Sequence, residues 1–154
     1  MYLIRLLALV VHAVSSAALL GGALYSFLTV QPRAKAHFED IRDFETFVAN
    51  LAHGARWKLL TLLAAIAITG FVDPLLSESV RPQLWWTCFG IKGVLWAAVL
   101  GSFVYVSWYL WPRRVFAALT DLSTIQRKFT VIGSVILVLL MIAFVLGVLM
   151  SQIR

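Results

Sequence analysis

A single cysteine, Cys88, stands in 154 residues, which excludes an internal disulfide and any multi-cysteine metal site. Acidic residues are also scarce, seven against thirteen Lys and Arg, for a formal charge of +6. Charged residues of both signs make up 13% of the chain, where a soluble domain carries about a quarter. Too little polar sequence remains for a separate soluble domain. No Met-x-x-Met or Cys-x-x-Cys occurs, and Met141 and Met150 lie nine residues apart, on opposite faces of a helix. A methionine ladder for copper is therefore disfavoured. The apolar runs hold no nucleophile-and-base set, phosphate loop or carboxylate pair, which argues against hydrolysis and phosphoryl transfer. No basic cluster with interleaved aromatics lies outside those runs, so the positive charge does not point to nucleic acid. No lipidation motif is present.

What remains is apolar: 62% of the residues are hydrophobic, and they are gathered into long runs. A run of about 20 apolar residues, rising 1.5 Å each, crosses the hydrocarbon of a bilayer. Four such runs are expected as transmembrane helices, over about residues 3–28, 55–74, 84–111 and 129–150. A charged stretch over about 34–54 separates the first two. In it Phe38, Ile41, Phe44, Val48 and Leu51 recur at helical spacing, which predicts an amphipathic helix outside the bilayer. The fold class expected is all-α, a four-transmembrane-helix bundle with that amphipathic helix before helix two. It forms one integral membrane domain over residues 1–154. The first run continues through Leu28, longer than a signal-peptide core, and reads as a retained helix. Pro32-Arg33 is expected to end helix one, and Pro112-Arg113-Arg114 to stop helix three. No convincing sequence repeat is found, although two helix-loop-helix halves related by shape stay open.

Lysine and arginine set the expected orientation. The first and third connections carry Arg33, Lys35, Arg42, Arg56, Lys58, Arg113, Arg114, Arg127 and Lys128; the other side carries Arg5, Arg81 and Arg154. The positive-inside rule puts both long connections in the cytoplasm of a bacterial-type inner membrane, with both termini on the outer side.

That orientation gives each polar residue a depth. His12 and Lys92 each follow their helix start by eight or nine residues, about 12–14 Å into the outer leaflet. Intramembrane charge is rare without a role. One reading is therefore a polar site of His12 and Lys92, with Asp73 and Arg5 near it. In it His12 is a metal or haem ligand, and Lys92 is a second ligand, anion clamp or proton partner. Trp96, one turn after Lys92, could line a flat cofactor or face lipid. The other reading is structural. Lys92 snorkels or pairs with Asp73, and His12 bonds Ser15, Ser16 or a neighbouring carbonyl. His53 and His37 read as interfacial and solvated. No catalytic residue is assigned.

The layout resembles the superfamily of small membrane proteins that includes the copper-resistance D (CopD) domain and the HemJ-type protoporphyrinogen oxidases. The resemblance rests on His12, the small residues Gly21-Gly22, the Pro32-Arg33 exit, Trp86 followed by Lys92, and the basic Arg113-Arg114. It implies a four-helix membrane fold, b-type haem as cofactor, and His12 and Lys92 as the functional residues. Two further functions stay open beside this redox-linked one. One is a non-enzymatic accessory subunit packed against a larger membrane complex or in a homo-oligomer. The other is copper handling, weakened by the lack of soft ligands.

Overall fold

The computed structural model describes residues 2–76 and 80–153, apart from the side chains of Asp73 and Leu119. Every element among them is helical, and four helices are long and apolar enough to cross a membrane: Tyr2–His37, Ala55–Val72, Gln83–Val115 and Thr120–Gln152. The chain divides into two compact units, Met1–Ser77 and Glu78–Arg154.

In the first unit α1 (Tyr2–Tyr25) runs into a π-helical turn, Ser26–Val30, and then into α2 (Gln31–His37). Pro32 does not end the helix as the sequence predicts. The Gln31 N–H donates to the carbonyl of Ser26, five residues back. This wider turn absorbs the loss of the proline N–H and its clash with the preceding turn. The chain leaves the helix at Phe38, which is extended. Asp40 then caps α3 (Ile41–Ala52), its carboxylate accepting from the Arg42 N–H at 2.8 Å. α3 is the amphipathic part of the stretch expected over about 34–54, but it is shorter: residues 34–37 belong to α2, and Phe38 lies in the break between the two helices. Gly54, at φ +74°, turns the chain into α4 (Ala55–Leu75). That left-handed conformation is the one a Cβ disfavours. α4 packs back along α1.

The second unit repeats this plan with less in the connection. α5 (Gln83–Val104) passes through a π-helical turn, Tyr105–Leu110, into α6 (Trp111–Val115). Here too the helix continues through the proline, Pro112, that was expected to stop it. The Trp111 N–H donates to Val106, again five residues back. α7 (Leu119–Gln152) then packs along α5. It begins ten residues earlier than the expected start near Phe129. No Gly or Pro interrupts Leu119 to Ile132, and buried Leu122 ties the added turns down.

The matched π turns reveal a correspondence that hydropathy hides. With 80 residues between equivalent positions, Ala17-Ala18 align with Ala97-Ala98, Leu20-Gly21 with Leu100-Gly101, Tyr25 with Tyr105, and Pro32-Arg33 with Pro112-Arg113. Leu19 and Val99, one in each unit, are both buried at the same register. In that register Lys92 stands where His12 stands.

Few side chains are buried among the described residues of either unit: Ala8, Ser15, Leu19, Ala34 and Leu63 in the first, and Trp85, Val99, Leu122 and Leu137 among those of the second. Large apolar residues such as Ile4, Val14, Ile68, Val94, Val135 and Val145 are exposed along the long helices. An apolar surface this continuous is foreign to water and matches a hydrocarbon solvent.

Candidate functional site

His12 lies near the middle of α1 and is half-buried against the far half of α4. Three residues of α4 meet its ring: Ile66, Thr69 and Gly70, spaced to share one helix face. The imidazole Nδ1 is 3.0 Å from the Ile66 carbonyl oxygen and 3.1 Å from Thr69 Oγ1. A carbonyl can only accept, so the proton of a neutral ring sits on Nδ1. The Thr69 hydroxyl donates its own hydrogen to the Ala65 carbonyl, which leaves its oxygen to accept from the ring. The tautomer is therefore fixed by α4, and the lone pair is left on Nε2.

Gly70 is what lets the ring come so near. A Cβ built on it would stand 3.2 Å from Cε1 and 3.6 Å from Nδ1 of His12. The structural reading of His12 expected Ser15, Ser16 or a neighbouring carbonyl as its partner; the bonds found run to the Ile66 carbonyl and Thr69 of α4. It did not foresee Thr69 or Gly70. Gly70 carries no polar signal, and both lie more than fifty residues from His12 in sequence.

Lys92 occupies the equivalent place in the second unit. It is half-buried on α5, and its side chain crosses to α7 at Gly147. A Cβ on Gly147 would meet Nζ at 3.0 Å and Cε at 3.8 Å. Gly70 and Gly147 would each bring a new Cβ within 4 Å of a neighbouring side chain, and those neighbours are His12 and Lys92, whereas a Cβ on Gly21, Gly22, Gly54, Gly90, Gly93 or Gly101 would meet nothing that near. Among the described residues no hydrogen-bond acceptor or ion-pair partner meets the Lys92 ammonium. The expected pairing with Asp73 concerns a side chain outside the described residues. Trp96, one turn further along α5, is half-buried, as is the free thiol of Cys88 one turn before.

The remaining histidines stand apart from this arrangement. His37 is exposed at the end of α2, its ring edge-on to Phe38 at 5.1 Å. His53 is exposed at the end of α3. Arg5 is half-buried and has an interaction of its own. Among the described residues no three His, Cys, Asp or Glu side chains converge as a metal cage.

The arrangement supplies one imidazole held by α4 and one lysine amine, each lodged over a glycine between two apolar helices. No protein-family model, curated protein or solved structure matches the chain.

Proposed function

We propose that this is a four-helix integral protein of a bacterial-type inner membrane, with both termini outside, in which His12 is an axial ligand of haem b in a redox-linked role. The observation that carries the reading is the Nδ1–H of His12 bound to the Ile66 carbonyl and Thr69. A metal-bound histidine is typically held in this way, its other nitrogen bonded to a carbonyl or hydroxyl that orients the ring and raises its basicity. Both contacts to α4 are made by Nδ1, so Nε2 is the ring nitrogen that would hold iron when haem is bound. A single oriented imidazole suits a group that would take one or two protein ligands, as haem does. Haem, when bound, supplies one-electron redox chemistry. The chain's own contribution is to hold the ring, fix its proton and exclude water. Lys92 is proposed as the polar group of the second unit, its ammonium suited to an anionic group of a membrane-soluble ligand, with Trp96 beside it as a flat apolar wall.

A spectrum of the protein in mild detergent, before and after dithionite, tests this. A Soret band with reduced b-type features, lost in His12→Ala, is the expected outcome. A folded, colourless protein that takes up no added haem would sink the reading. It would favour the accessory-subunit alternative, for which the observation is the uncharged, exposed surface of α7 beyond Lys128.

A further inference from the structure

The polar end of the second unit, where α6 meets α7, is built differently from its counterpart, and the difference points to a ligand. Arg113 lies over the ring of Tyr109, its Cζ 4.0 Å from the centroid. Arg114 lies 4.9 Å over Phe129 and 5.9 Å over Trp111, and those two rings meet edge-on at 6.0 Å. Arg114 therefore bridges α6 and α7. Lys128 is the immediate neighbour of Phe129 and is exposed, with Arg127 beside it.

Guanidinium groups laid on aromatic faces lose mobility but keep a planar N–H edge that matches the oxygens of a phosphate. From Arg113 to Lys128 there are four cations and one acid, Asp121. No carboxylate is within ion-pair distance of Arg113, Arg127 or Lys128 among the described residues. The first unit shares the π turn and the Pro-Arg exit but not this field. From Arg33 to Lys58 its five cations face four acids, Glu39, Asp40, Asp43 and Glu45.

The aromatic rings beneath the arginines are Tyr109, Trp111 and Phe129, the kind of side chains that mark the level of lipid headgroups. Arg113 and Arg114 follow directly on the apolar run of α5 and its π turn, and Arg127 and Lys128 stand where the uncharged part of α7 begins. We infer that Arg113, Arg114 and Lys128, with Arg127 adding to the field, bind the phosphate of an anionic phospholipid from the surrounding leaflet. This binding is independent of any pigment at His12.

The test uses the full chain in mild detergent, with added dioleoylphosphatidylglycerol, dioleoylphosphatidylcholine or inorganic phosphate, read by thermal unfolding and by native mass spectrometry. Phosphatidylglycerol is expected to raise the unfolding midpoint by about 5 °C over phosphatidylcholine and to remain bound in the mass spectrum. The triple variant R113Q/R114Q/K128Q is expected to lose most of that difference. R127Q/K128Q changes exposed side chains only, and is expected to lose part of it while folding normally. R33Q/K35Q, in the first unit, is expected to keep it. Equal stabilisation by phosphatidylcholine, full reproduction by inorganic phosphate, or an equal loss in R33Q/K35Q would each overturn the assignment.

Discussion

The two units start from one plan and diverge in what they place upon it. Each has a long helix with a π turn before Pro-Arg, and a return helix whose glycine receives a polar side chain. In the first unit that side chain is a short, rigid ring tied to α4 by two bonds from one nitrogen. In the second it is a long, flexible chain ending in an amine. The same cradle therefore receives two unlike groups: a rigid ring bonded in a fixed direction, and an adaptable amine. The connections differ as well. The first unit inserts a capped amphipathic helix with mixed charge, and the second passes almost directly into α7.

The largest effect expected from this comparison concerns the cofactor. His12→Ala should abolish a Soret band, whereas Lys92→Ala should leave the ligand field of the iron intact. Equal loss in both would mean that the two positions act as one ligand set. Thr69→Val keeps the Ile66 carbonyl as acceptor and removes only the hydroxyl. It should weaken haem retention by about 10-fold at most, the low end for loss of a partner behind a metal ligand.

The glycines sharpen the contrast. Gly70→Ala presses a Cβ against a ring that cannot retreat without breaking its bonds to α4. A cost of about 1–3 kcal/mol is expected, as for an overpacked core, read as a lower unfolding midpoint in detergent. Gly147→Ala meets only the mobile end of Lys92 and should cost less than about 1 kcal/mol, because a flexible chain moves aside. If Gly147→Ala were the more damaging, Lys92 would be held by more than its stem.

Smaller differences lie at the helix starts. Asp40→Ala removes the cap of α3 and should destabilise it by about 0.5–2 kcal/mol. Ala118 opens α7 in an extended conformation with no side-chain cap. Ala118→Ser should therefore stabilise the second unit by about 0.5–1 kcal/mol. Hydrogen exchange of the first amides of α3 and α7 would report both.

Much of this was legible before the structure. The four apolar helices follow from run length, and the amphipathic α3 from the spacing of Ile41, Phe44, Val48 and Leu51. His12 and Lys92 stand out because charge and imidazole are costly in apolar runs. The helix ends were less legible. Pro32 and Pro112 look like stops, yet a π turn carries the helix past each one. Hydropathy does not show a hydrogen bond that is one residue longer. The early start of α7 was hidden because its first turns are mostly polar, with Leu122 their buried apolar residue. The partners of His12 were hidden for a different reason. A backbone carbonyl has no sequence signature, and a glycine that makes room contributes no atom to notice. The correspondence between units was masked because His12 and Lys92, its most conspicuous pair, are chemically unlike.

The π turns have a consequence for how each helix is phased. An α-helix advances about 100° per residue, and a π turn takes up one residue without adding the usual rotation. The Pro-Arg end of each long helix is therefore clocked about 100° away from where an unbroken helix would aim it. Arg33 and Arg113 owe their headings to that offset and not to the faces carrying His12 and Lys92. A one-residue deletion inside either turn would restore the ordinary pitch and swing the arginines round, while the half of the helix holding the polar side chain stayed where it was.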